Sequence, residues 1–228
     1  MVYNNLPDSL VLSGASAKPV LNPGGVVSAA TYLSGPVSPG AIVAIYGANL
    51  GLPACNGQGE EVLFNGVPAG IIYSSPTQIN AQVPWEIAGA AITIAGAAAS
   101  PGIFTATQNG TGQGAIVPVG TGAIATPDNP AHRGQYASIY GTGLGVVTNQ
   151  PVTGDWSPWG PLAETTSLPV VTVGGVGAHV SWAGLAPDYV GLYQVNFIVH
   201  ANAPTGSAVP VIVSVGSANS NAVTMAIQ

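Results

Sequence analysis

Charge is what this 228-residue chain has least of: two Lys or Arg and eight Asp or Glu make 4% of its residues, where soluble domains usually carry about 25%. Lys18 and Arg133 are the two certain cations and the formal net charge is −6, so there is no basic footprint for nucleic acid or anionic lipid, and both partner classes are excluded. A surface built from Ser, Thr, Asn, Gln and Gly has little self-repulsion, which suits a protein held in a matrix, a filament or a longer chain. Cysteine is almost missing too. Cys55 stands alone, so no intramolecular disulfide forms; it reads as a small apolar group, with an intermolecular bridge as the alternative. The opening MVYNNLPDSLVLSG lacks the basic region and long apolar run of a signal peptide, so export would use a segment outside this sequence. The uncharged stretch IAGAAITIAGAAASPGIF has the length of a membrane helix. It is Ala and Gly rather than Leu and Phe, Pro101 interrupts it and Ile92-Thr93-Ile94 alternates, so membrane insertion is also excluded.

Glycine (32) and proline (20) are plentiful, and they punctuate β-branched runs in a chain that is 47% hydrophobic. That composition predicts many short strands joined by tight turns, an all-β fold. Residues 62–87, VLFNGVPAGIIYSSPTQINAQVPWEI, show the pattern best. Two β-prone runs meet at Asn65-Gly66, the pair favoured where a type I′ hairpin turn needs positive φ at both central residues. Gln78, Asn80 and Gln82 then alternate with Ile79, Ala81 and Val83, the period of a strand with one apolar face. The series returns in residues 170–204, with Gly174-Gly175 for the turn and Gln194-Val195-Asn196 for Gln78-Ile79-Asn80. Ile139-Tyr140-Gly141 likewise repeats Ile45-Tyr46-Gly47. The offset between copies grows from 94 to 109 to 116 residues along the chain, so the second copy has longer loops. Its main insertion, residues 146–169, holds Trp156 and Trp159, and loops of that length are usually functional or packed against something. The expected architecture is two tandem immunoglobulin-like β-sandwich units, residues 22–125 and 126–228, behind an extended N-terminal arm of residues 1–21. Residues 108–131 are linker or a shared hairpin.

Six blocks, NPGGVVSAATY, GPVSPGAIVAIYGANLG, SPTQINAQVPWE, PGIFTATQNGTGQGAI, GQYASIYGTGLG and AGLAPDYVGLYQVN, occur in this order. Together they resemble the Solibacter uncharacterised C-terminal domain family over residues 22–228. Members of that family are modules of large secreted acidobacterial proteins with no assigned activity. The resemblance implies export and a modular role, secreted or at the cell surface, and supplies no catalytic residue. Each repeat is also similar to the immunoglobulin-like IPT/TIG modules, a likeness of fold alone.

No arrangement of residues selects a catalyst. No Gly-x-Ser-x-Gly elbow is present, and His132, His179 and His200 lack the paired spacing of a metal site. The scattered carboxylates nominate no glycosidase pair, and neither ATPDNPA nor VTGDWSP has the run of oxygen ligands of a calcium loop. No cofactor or metal is expected. Gln78 and Asn80, with Gln194 and Asn196, are read as amides that bond buried loop backbone at a sandwich corner, in preference to a sugar-reading groove. Tyr46 and Tyr140 are read as corner tyrosines whose hydroxyls reach backbone. The aromatics Trp156, Trp159, Trp182, Tyr189 and Tyr193 are the candidate ligand or interface residues. Packing at the junction of the two units is preferred for them, with stacking on sugar rings as the alternative. In the arm, Leu10, Val11 and Leu12 form a β-prone segment able to add a strand to a sheet edge, in its own chain or a neighbour's. The function expected is a non-enzymatic extracellular structural or adhesive module, partnered by neighbouring copies or domains or by a surface glycan. The rival is a carbohydrate-binding module or carbohydrate-active enzyme using the aromatic loop of the second unit.

Overall fold

The computed structural model describes residues 10–13, 19–51, 61–87 and 98–228. The first half contains β1 (Leu10–Ser13), β2 (Val20–Ser28), β3 (Ile42–Ala48), β4 (Glu61–Phe64), β5 (Val67–Pro68), β6 (Gly70–Ser74) and β7 (Gln78–Gln82), followed by one 3₁₀ turn, Trp85–Ile87. The second contains β8 (Gly102–Ile103), β9 (Ile116–Pro118), β10 (Tyr136–Thr142), β11 (Val170–Val173), β12 (Val176–Leu185), β13 (Tyr193–Ile198), β14 (Gly206–Val215), β15 (Ala218–Asn219) and β16 (Val223–Ile227). The architecture is all-β and of sandwich type, and the strand pairs are antiparallel.

Both hairpin turns form where the glycines are. Asn65 and Gly66 take φ of 50° and 79°, and Gly174 and Gly175 take 58° and 80°. Phe64 therefore faces Val67, and Val173 faces Val176. The β3–β7 ladder sets Tyr46 opposite Gln78 and Ile45 opposite Ile79, while β10–β13 sets Tyr140 opposite Gln194 and Ile139 opposite Val195. The sequence repeat is thus a repeat of register. One core gathers Val43, Ile45, Phe64, Ile79 and Ala81; the other gathers Ile139, Tyr193, Val195, Phe197, Val211 and Met225.

The halves differ in how their sheets join. In the first, the order is β2-β3-β7-β6, and a separate three-stranded sheet runs β1-β4-β5. In the second, β12 continues through a bulge between Val180 and Trp182 and pairs with both β11 and β13, which fuses the corresponding parts into one nine-stranded sheet.

The expected boundary at residues 125/126 is corrected by the ladder. Ile103 of β8 and Ile116 of β9 pair with Gly141 and Ile139 of β10, inside the second half's sheet. The Asn221 side chain seals this attachment. Its Oδ1 accepts from Ile103 N (2.8 Å), and its Nδ2 donates to the carbonyls of Ile103 (3.0 Å) and Gly110 (2.8 Å). Strand β16 lies against β14 on one side and against residues 112–131 on the other, through Thr224 N to Gly112 O (2.7 Å) and Ala226 N to Ala125 O (2.7 Å). The change of sheet therefore falls after β7, before β8. Strands of two and three residues carry too little periodicity to declare their partner. The expected AITIAG strand and Cys55 lie outside the described residues.

The halves are stitched together closely. Ile42 N donates to Thr142 Oγ1 (2.8 Å), whose hydroxyl donates on to Gly191 O (3.2 Å), and Ser100 Oγ donates to Pro36 O (2.7 Å). Trp85, from the first half, is buried within the second half's core.

Candidate functional site

Between the halves lies a cleft of about 630 Å³. Its floor is the outer face of β3 and β7, where Ile42, Ala44, Gln78 and Asn80 point away from the buried Ile79 and Ala81. Tyr32 and Ile72 flank it from the first half. Phe104, Thr105 and Gln108 come from the segment after β8, and Trp156, Asp188 and Tyr189 close it from the second half.

The long insertion positions Trp156. Thr153 and Gly154 anchor it on the first half: Trp85 N donates to Thr153 Oγ1 (3.1 Å), Thr153 Oγ1 donates to Glu86 Oε2 (2.9 Å), and Gly154 N donates to Gln82 Oε1 (2.7 Å). This docking needs two glycines back to back, since a Cβ on Gly70 would lie 2.4 Å from the Gly154 Cα. Next along the chain, Ser157 N donates to Tyr189 O (3.1 Å) and Ser157 O accepts from Asp188 N (2.9 Å), which locks the two cleft-lining loops side by side.

Backbone strain converges on the same place. Among the described residues six non-glycines have positive φ; three Asn and Asp188 (67°) are of types that tolerate that conformation, and the others are Tyr32 (59°) and Gln108 (52°). Both line the cleft, as does Asp188. Strained backbone of this kind persists where the surroundings over-determine it, and it clusters at ligand clamps.

The amides do not bond loop backbone as expected. Gln78 Nε2 donates to Asn80 Oδ1 (2.8 Å), and Gln194 Nε2 donates to Asn196 Oδ1 (2.7 Å). Residues two apart on a strand share a face, so each pair is a local clasp. Gln78 and Asn80 face the cleft; in the second copy Ser138 Oγ also donates to Asn196 Oδ1 (2.8 Å).

The five candidate aromatics are not one cluster. Trp156 (71% exposed) and Tyr189 (58%) line the cleft. Trp159 (75% exposed) stands beside it and donates Nε1 to Asp188 Oδ2 (2.9 Å). Trp182 is half-buried on β12 and donates Nε1 to Glu164 Oε1 (3.2 Å). Tyr193 is corrected: it is fully buried in the core, its hydroxyl donates to the Gly145 carbonyl, and burial raises its phenol well above the usual tyrosine range. Among the described residues it, rather than Tyr46 or Tyr140, is the tyrosine whose hydroxyl reaches backbone. Tyr46 is also raised, by burial first and then by Tyr32. Tyr32, Phe104, Gln108 and Asp188 were not singled out by sequence, because their place in the cleft depends on segments that meet only in the folded chain.

In the arm, β1 pairs with β4 of the same chain, Leu10 opposite Phe64, Val11 opposite Leu63, Leu12 opposite Val62 and Ser13 opposite Glu61. Strand β14 pairs with β11 in the corresponding register, Val211 opposite Val173 through Ser214 opposite Val170. Leu-Val-Leu-Ser thus stands against the first hairpin where Val-Ile-Val-Ser stands against the second.

Among the described residues, no three His, Cys, Asp or Glu gather where they could hold a metal ion, and no helix is long and apolar enough to cross a membrane. His132, His179 and His200 are all exposed. The chain matches no family model, no curated protein and no solved structure.

Proposed function

We propose that the protein is a non-enzymatic extracellular structural or adhesive module that links to neighbouring copies or domains by strand addition through Leu10–Ser13. The observation that carries this reading is the matched register of β1 on β4 and β14 on β11. In the second half the strand against the hairpin comes from later in the chain; in the first it comes from the arm that precedes the half. A slot served by an arm ahead of its half is served equally by the arm of the next molecule, and such head-to-tail pairing propagates. The low charge of the chain supports it, because edge strands are usually guarded by Lys or other charges. The motif resemblance adds export to the proposal. For the non-enzymatic part, Asp188 is the one carboxylate among the described residues lining the cleft, where carboxylate-based glycosidase chemistry requires two.

The test uses Ser13 and Glu61, which face each other across β1 and β4. In a Cys55→Ser background, Ser13→Cys and Glu61→Cys are combined and oxidised over a range of protein concentrations. Strand addition between molecules yields a ladder of disulfide-linked multimers that grows with concentration. Products that stay monomeric and internally linked at every concentration refute it.

A further inference from the structure

We infer that the cleft between the halves is a binding site for an uncharged saccharide chain. This stands apart from the assembly reading, since it uses neither β1 nor β4. The volume of about 630 Å³ falls within the roughly 300–1,000 Å³ of ligand sites. Two features of the lining name the ligand chemistry. First, Trp156 and Tyr189 keep their rings in solvent although their backbones are held by the Ser157 bonds to Asp188 and Tyr189. Rigid exposed rings beside a cleft fit a partner with a flat apolar face, and the axial C–H groups of a pyranose ring make one. Second, the Gln78–Asn80 clasp uses Gln78 Nε2 and Asn80 Oδ1 on each other, leaving Gln78 Oε1 to accept and Asn80 Nδ2 to donate. An acceptor and a donor held side by side complement the vicinal diol of a sugar, in which one hydroxyl donates while its neighbour accepts.

The charge of the site narrows the class further. Among the described residues that line the cleft there is no Lys or Arg, and the charged one is Asp188. Asp188 Oδ2 is taken by Trp159 Nε1, and the carboxylate that remains accepts a hydroxyl and repels an anion. Uronic acids and sulfated or sialylated chains are disfavoured, and neutral hexose or pentose chains are admitted. The strained backbones of Tyr32 and Gln108 fix the lining before a ligand arrives, which lowers the ordering cost of a weak, hydroxyl-rich partner.

The internal repeat provides the control. Gln194 and Asn196 form the same clasp in the second half without lining this cleft. The full chain is titrated, by calorimetry and tryptophan emission, with hexamers of β-1,4-linked glucose, xylose and mannose, with hexagalacturonate and with decaproline. The expected result is saturable binding of at least one neutral hexamer, with a blue shift of the exposed tryptophans. Trp156→Ala and Gln78→Ala should each weaken it by about tenfold or more, while Gln194→Ala leaves it unchanged. Trp156 is exposed, so its loss does not threaten folding. The inference is overturned if none of the three neutral hexamers binds, if hexagalacturonate or decaproline binds more tightly, or if Trp156→Ala and Gln78→Ala bind like the parent.

Discussion

Replacing Gly70 by Ala tests whether the close approach of two backbones holds the halves together. The new Cβ would lie 2.4 Å from Gly154 Cα and 2.7 Å from Gly154 N, both backbone atoms that cannot swing aside. Restoring ordinary contact means moving the loop back by roughly 1 Å or more. The bond from Gly154 N to Gln82 Oε1, 2.7 Å long, is then lost. Gln82 is fully buried and its Nε2 has no partner, so its amide would be left without a hydrogen bond. Exposing such a group to no partner costs about 1–3 kcal/mol. Overpacking adds about 1–3 kcal/mol, for a total near 2–6 kcal/mol, or about 4–24 °C in Tm for a chain of this size. Gly66→Ala is the comparison, because its surroundings are open and its positive φ alone is penalised, by about 1 kcal/mol. Urea unfolding followed by tryptophan emission measures both. If Gly70→Ala is no more destabilising than Gly66→Ala, the docking of the insertion is not what the backbone contact implies.

Three more outcomes are expected. Asn221→Ala removes three hydrogen bonds that hold residues 103–110 to the second half, and should cost about 2–4 kcal/mol in urea unfolding. Tyr193→Phe leaves the Gly145 carbonyl unpaired, at about 1–3 kcal/mol near neutral pH. In the parent, the unfolded chain loses the Tyr193 proton near its ordinary value of 10.0 while the folded chain keeps it. The unfolded state then binds fewer protons, so stability present below pH 10 should fall by about 1.4 kcal/mol per pH unit above it; Tyr193→Phe should flatten that fall, as measured by chemical denaturation from pH 9 to 11. With two basic and eight acidic side chains in all, the Tm should move by no more than about 2 °C between low and 1 M sodium chloride, as read by calorimetry.

What could be read in advance was local. Asn65-Gly66 and Gly174-Gly175 announce their turns because only a few residue types adopt positive φ twice in succession, and the alternation in Gln78–Gln82 announces a strand because a sheet has two faces. Trp156 stood out because it lies in an insertion that the first repeat lacks. Partnership over long range was hidden. Nothing in Gly102-Ile103 says that its neighbour is Gly141, or that Asn221 will bond it from 118 positions away. Tyr193 and Tyr189 are near neighbours in sequence, yet one is core and the other exposed, because β13 begins at Tyr193 and turns it inward while Tyr189 remains in the loop before it. The cleft belongs to the same hidden class, since its lining is drawn from segments that meet only when the halves dock.

The sandwiching of β16 between β14 and residues 112–131 also sets a clock on synthesis. Gly112 and Ala125 bond Thr224 and Ala226, about a hundred residues later in the chain. At roughly 5–20 residues per second, the ribosome takes on the order of 5–20 s to deliver those partners. Throughout that interval Ile116 and Ala125, both fully buried at the end, have no finished core to enter. The second half is therefore among the last parts of the nascent chain to close, and its early segments are the surface that a chaperone, or another unfinished copy, meets first.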